Sequence, residues 1–353
     1  MKAGIVGFTG AGKRTLFTLL TQVAGDPSAR TEQVGILKVP DPRLEELTRL
    51  HASRKTTQAT VEFVLIPSLV KGQSKDKLDL SNLRTVDVLV HVVRAFDEPS
   101  VPHPEGSIDA ARDLEVLELE LTLADLSLVE KRLERLQTDS KKGKKSDPKE
   151  MALLERARQA LAEGTPLRTA LSAEERDALK GYALLTAKPM LVVVNVNEEQ
   201  AASSNLVEEL SLTEWSQQPQ MGLTFVSARI ESEIAELTPE EAVPFREELG
   251  LSDGMLERIV RATFDLMDVI TFYTAGDKES HAWIIPRATR AVKAAGAIHS
   301  DIERGFIRAE VVPYDVLVHE GSWNACRDKG LLRLEGKDYP FVDADVVYFR
   351  FNV

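Results

Sequence analysis

The sequence predicts an α/β fold: a mostly parallel sheet, an antiparallel helical hairpin inserted into it, and a separate C-terminal α+β module. Three observations carry this. A glycine-rich turn separates an apolar run from a helical pattern at the N-terminus. Two later runs are continuously apolar over strand length, and beyond residue 268 short β-rich runs alternate with turn residues.

Taken in order, Ala3 to Phe8 is apolar and β-branched, Gly10 to Gly12 is a turn, and Thr15 to Leu20 has helical spacing. Val86 to Val93 and Met190 to Val196 read as parallel strands buried on both faces. Between them, Leu119, Leu123, Leu126, Val129, Leu133 and Leu136 recur every three or four residues, and Leu153, Leu154, Ala157 and Leu161 repeat the pattern after a polar break. This predicts a hairpin whose tip, Asp139 to Lys149, is broken by Gly143 and Pro148 and carries Lys141, Lys142, Lys144, Lys145 and Lys149. The runs ITFYTAG, HAWIIP, FIRAEVV and YPFVDADVVYFRF, with a helical stretch near Arg290 to Ala297, form the last module. The expected division is 1–113 with 186–268 for the sheet domain, 114–185 for the hairpin and 269–353 for the C-terminal module.

At 43% hydrophobic and 28% charged over 353 residues, the chain has enough apolar content for several folded domains and is not disordered throughout. Its formal charge of −12 excludes a uniformly basic nucleic-acid coat while leaving room for a local basic patch. The single cysteine, Cys326, permits no intramolecular disulfide, and no Cys/His spacing suits structural zinc. No leader or membrane span is visible, so a cytoplasmic location with no membrane partner is expected.

The strongest chemical signal is Gly7-Phe8-Thr9-Gly10-Ala11-Gly12-Lys13-Arg14-Thr15. Phosphate loops need glycines so that backbone N–H groups converge on phosphate oxygens, and a lysine at the following helix N-terminus to reach the terminal phosphates. Candidate phosphate-binding residues are therefore Gly7, Gly10, Ala11, Gly12, Lys13, Arg14 and Thr15. The hydroxyl that should follow the lysine is replaced by Arg14, which cannot ligate a cation, and Thr15 lies about 100° further round the helix.

On these residues, and on VPDPRLEEL (Val39 to Leu47), LVKGQSK (Leu69 to Lys75), HVVRAF (His91 to Phe96), NVNEE (Asn195 to Glu199) and SARIESEIAEL (Ser227 to Leu237), the chain resembles the Obg-like ATPase family, also called YchF, of translation-factor-related P-loop NTPases. Its segments FYTAGDKESHAWIIPR, KAAGAIHSDIERGFIRAEVV and RLEGKDYPFVDADVVYFRFNV are similar to that family's TGS module, a ubiquitin-like β-grasp. The resemblance implies a base-reading site at Asn195, Glu198, Ser227 and Ala228, with Asn-x-x-Glu accompanying a preference for ATP over GTP. It also implies that magnesium ligands belong at Arg14 and Leu65, and that Ser68 replaces the glycine meeting the γ-phosphate. Gly10 replaces a loop asparagine, the stretch 26–33 holds no clear first switch, and Leu69 is packing rather than catalytic.

These departures converge on one chemical step. No catalytic residue is assigned, and magnesium-dependent hydrolysis is expected to be weakened or lost. Arg14 offers a guanidinium to phosphate instead. The leading reading is a nucleotide-binding, ribosome-associated protein with ATP or GTP as ligand. Its rivals are a non-catalytic ribosome- or RNA-binding scaffold with an empty nucleotide pocket, and a slow ATPase. RNA or ribosome contact is expected at the five lysines of the hairpin tip and on the TGS module, where His299, Arg304 and Arg308 form a polar surface. Trp283 and Phe306 are expected in the core.

Overall fold

The computed structural model describes residues 1–26, 29, 31–67, 80–142, 147–201, 203–249 and 254–352. The expected second-switch segment from Ser68 through Leu69 to Asp79, and Lys144 and Lys145 of the tip, lie outside the described residues.

In chain order the strands are β1 (Lys2–Val6), β2 (Gln33–Lys38), β3 (Thr56–Thr57), β4 (Thr60–Leu65), β5 (Val88–Arg94), β6 (Met190–Asn195), β7 (Met221–Val226), β8 (Val269–Ala275), β9 (Ser280–Pro286), β10 (Phe306–Pro313), β11 (Arg333–Glu335) and β12 (Asp345–Phe351). They form two sheets, ordered β2-β4-β1-β5-β6-β7 and β11-β10-β12-β8-β9-β3. In the first, β4, β1, β5, β6 and β7 are mutually parallel, and β5 and β6 are buried at every position. The continuous apolar runs read from the sequence are thus central strands covered on both faces. The fold class is the expected α/β.

The chain divides into two compact units, one of Lys2–Gly35 with Glu62–Leu266, the other mainly Ile36–Val61 with Met267–Val353. Residues 36–61 depart from the expected division, which puts them with the phosphate loop. Helix α1 (Lys13–Thr21) follows that loop; helix α2 (Pro42–Leu50) opens on Asp41, whose carboxylate caps Arg43 N–H at 3.0 Å with proline in the first turn. Leu44 and Leu47 of α2 are buried with Tyr273, Leu317 and Val346, Tyr273 Oη donates to Asp41, and β3 pairs with β9 at Thr56↔Ser280. These contacts bring the segment into the C-terminal core. Phe306 is buried there as expected, whereas Trp283 is partly exposed at its margin.

The hairpin is built from α3 (Ala110–Lys141) and α4 (Pro148–Ala162), each capped by an aspartate, Asp109 and Asp147. Val129, Leu133 and Leu136 interlock with Leu154, Ala157 and Leu161. Leu119 and Leu123 do not join this stripe; they are 56% and 51% exposed. The reason is that one helix serves two cores. Its first turns bury Ala110, Leu114, Leu117 and Leu121 against the sheet, and only from Val129 does the buried side face α4.

Candidate nucleotide site

The loop after β1 takes its shape from its glycines. Gly7, Gly10 and Gly12 all have positive φ (146°, 80° and 93°), a region that L side chains avoid. Space forbids a side chain as well. A Cβ on Gly7 would stand 2.3 Å from the Val92 carbonyl oxygen, and one on Gly12 would stand 2.3 Å from Asn195 Nδ2.

Lys13 is the first residue of α1 and is buried, its Nζ 2.7 Å from the carbonyl oxygens of both Gly7 and Phe8. Burial, and secondarily the charge of Arg14, lowers its pKa to about 7. Asn195 ends β6 and ties two loops together: Nδ2 donates to Ala11 O (3.1 Å) and Oδ1 accepts from Ala228 N–H (3.0 Å). Ser227 caps the helix Ala228–Ala235 by accepting from Ile230 N–H. A pocket of about 540 Å³ opens here, lined by Gly12 and Thr15 on one side, by Asn195, Glu198, Ser227 and Ala228 on another, and by Phe96 and Glu98. Gly12 and Thr15 of the loop therefore line one cavity with all four base-side residues singled out in the sequence, at the carboxyl ends of parallel strands where α/β folds place ligands, while Gly7, Gly10, Ala11, Lys13 and Arg14 do not line it.

Other expected residues behave differently. Arg14 is exposed, its stem lies against Gly25, and its guanidinium has no ion pair or hydrogen bond among the described residues. Glu198 lines the pocket but is half exposed and pairs with Arg229 at 3.3 Å. Lys141, Lys142 and Lys149 are exposed at the hairpin tip.

A family model described as YchF-GTPase_C, protein of unknown function (DUF933), matches residues 269–352. The chain is also 41% identical over 365 residues to the "Ribosome-binding ATPase YchF" of Bacillus subtilis (strain 168), with 100% of both chains covered. The chain belongs to the YchF family. It is 39% identical over 366 residues to the protein of the same name from Escherichia coli O157:H7, covering 100% of this chain and 99% of that one. Among solved structures, the Schizosaccharomyces pombe YchF GTPase superposes with a TM-score of 0.84 at 30% identity, covering 99% of this chain and 97% of that one.

Within this YchF-family chain, the magnesium positions implied by resemblance carry no oxygen donor. One is a cation, Arg14. The other, Leu65, is an alkyl group 6% exposed at the end of β4, beside β1. Neither fits the ion, and no group of three or more His, Cys, Asp or Glu among the described residues is placed to hold a metal.

Sequence reasoning passed over Arg94. It lies within the HVVRAF run, is 2% exposed, and directs its guanidinium to three carbonyls: Phe96 (3.1 Å), Val101 (2.8 Å) and Glu98 (3.2 Å). These bonds, with Arg94 stacked over the Phe96 ring at 4.7 Å, shape the wall of the pocket formed by Phe96 and Glu98. A charged residue closing an otherwise apolar strand was the available signal. His103 sits at the edge of the same loop, held by Asp113 (2.9 Å) and packed edge-on to Phe8.

Two pH effects follow. Bound phosphate would hold the Lys13 ammonium charged, so nucleotide binding at pH 8 should take up about one proton from the buffer onto a lysine that is mostly neutral beforehand. Calorimetry in two buffers of different ionisation enthalpy measures this, and zero uptake would contradict it. His91, on β5 beneath Gly7, is fully buried with neither ring nitrogen bonded to another described residue, and burial, reinforced by Lys13, lowers its pKa to about 3. Its folded pKa lies below the unfolded value of about 6.5, so the unfolded state gains the proton first and stability falls as pH drops from 6.5 toward 3. Urea midpoints at pH 7.5 and 5 should show His91→Leu losing about 2 kcal/mol less than the parent over that interval.

Proposed function

We propose that this protein binds ATP in preference to GTP, associates with ribosomes in the cytoplasm, and carries out little or no magnesium-dependent hydrolysis. The observation that carries the nucleotide reading is the Asn195 bridge between Ala11 and Ala228, which holds a phosphate loop and a base-side loop on one cavity. The phosphate end offers convergent backbone N–H groups, the N-terminus of α1 and the Lys13 ammonium. The base end is acidic. Glu98, Glu198 and Glu199 line it, and carboxylates accept from the exocyclic amine that adenine and guanine both carry, so the preference for ATP is drawn from the Asn195-x-x-Glu198 pattern of the family resemblance.

Ribosome association is drawn from the names of the relatives and from the exposed lysines of the hairpin tip, whose charge suits an RNA backbone. The C-terminal module is read as a TGS domain. Weak hydrolysis follows from the misfit at Arg14 and Leu65, because phosphoryl transfer depends on charge stabilisation at the terminal phosphates more than nucleotide binding does.

Calorimetric titration with ATP and with GTP, alongside ribosome pelleting at low and high salt, tests the proposal. Tighter binding of ATP and salt-sensitive pelleting are expected. Equal affinity for the two nucleotides would remove the base-end argument, and no binding of either would leave a scaffold with an empty pocket.

A further inference from the structure

The C-terminal sheet has two unlike faces. Ala309, Val311, Val347 and Phe349 point into the core that holds Phe272 and Phe341. On the other face Val312 and Val346 are buried with Tyr273 and Leu317, but the cover ends there. Further along that face, Glu310 stands opposite both Tyr348 and Leu334, and Arg308 stands opposite Arg350. Tyr348 and Leu334 are 60% and 58% exposed.

The charges on this open area are unbalanced. Glu310 is buried and takes Arg350 Nε at 2.5 Å and Arg327 Nη2 at 3.5 Å. The Arg308 guanidinium, exposed, has no ion pair or hydrogen bond among the described residues. Three arginines against one carboxylate leave two positive charges on a protein whose formal charge is −12. The remaining charged residues of these strand segments, Arg333, Glu335 and Asp345, lie on the opposite face and pair among themselves. Arginines directly opposite each other in a sheet repel, and an anion between them reverses the sign of that interaction. An exposed aromatic ring beside such a pair adds a flat apolar surface.

We propose that this face binds single-stranded RNA, with a backbone phosphate between Arg308 and Arg350 and a base stacked on Tyr348. Leu334, across Glu310 from Tyr348, extends the apolar surface under the neighbouring base. Duplex RNA keeps its bases stacked on each other and cannot use the ring, whereas unpaired bases can. The choice of RNA as the polyanion rests on the ribosome-association reading; the phosphate and stacking chemistry rests on the sheet itself.

The test uses the full-length protein and fluorescence anisotropy with a labelled single strand of about 12 nucleotides, and a duplex of equal length. Tyr348→Ala should weaken single-strand binding about tenfold and leave duplex binding unchanged, while Tyr348→Phe stays within about twofold of the parent. Arg308→Ala should weaken binding and reduce the slope of log affinity against log salt by about one. Both positions are exposed, so the variants should keep the parent's thermal midpoint. Single-strand affinities unchanged in Tyr348→Ala and Arg308→Ala would overturn the proposal. So would an acidic peptide whose binding is lost in Arg308→Ala while RNA binding persists. Ribosome pelleting of the parent is scored separately: its absence removes the ribosome reading, while the assignment of this face stands or falls on the anisotropy.

Discussion

Gly12→Ala should abolish measurable nucleotide binding while leaving the protein folded. The added Cβ meets Asn195 Nδ2 at 2.3 Å, and the backbone at φ 93° disfavours any L side chain by about 1–2 kcal/mol. The colliding atom belongs to a side chain, so Asn195 can swing away, and in doing so it releases Ala11 and Ala228. Loop geometry is lost where phosphate must be met, and affinity should fall at least about 100-fold. Gly7→Ala makes the contrasting case. Its Cβ meets a backbone oxygen of the central strand β5, which cannot move aside, so the loss should appear as about 3 kcal/mol or more of stability. ATP titration and urea unfolding of both variants separate the two effects. Equal loss of stability in both would contradict the division of roles.

The second large effect is expected from Arg14→Ser combined with Leu65→Asp. Leu65→Asp alone buries a carboxylate at a 6%-exposed position and should cost about 3 kcal/mol. With Arg14→Ser the two changes supply the hydroxyl and the acid that the resemblance implies for magnesium, and remove the competing cation. The double variant should then hydrolyse ATP at least about tenfold faster with Mg²⁺ than without, and be stabilised by the ion in the presence of ATP. A double variant whose turnover and stability ignore magnesium would show that these positions are not the missing ligands.

Much of the site was legible because local chemistry specifies it. Glycines with a lysine at a strand-to-helix junction dictate a phosphate loop, and Asn195 ending an apolar strand places a polar side chain at the sheet's carboxyl edge. The part that was missed depends on contacts distant in sequence. Residues 36–61 join the C-terminal core through the two-residue strand β3 and through Leu44 and Leu47, features too short to reveal their destination. Leu119 and Leu123 have helical spacing yet are exposed, because periodicity specifies a face and not what covers it. Arg94 was hidden for a related reason: its partners are three backbone carbonyls, which no side-chain pattern reports.

A nucleotide pocket kept without the magnesium ligands should bind ATP whether or not Mg²⁺ is present. Calorimetric titration of the wild-type protein with ATP, in Mg²⁺ and in excess EDTA, addresses this most directly. The expected result is binding in both, with dissociation constants within about threefold of each other, because Lys13 and the loop amides supply the charge. Binding that appears only with Mg²⁺ would contradict it.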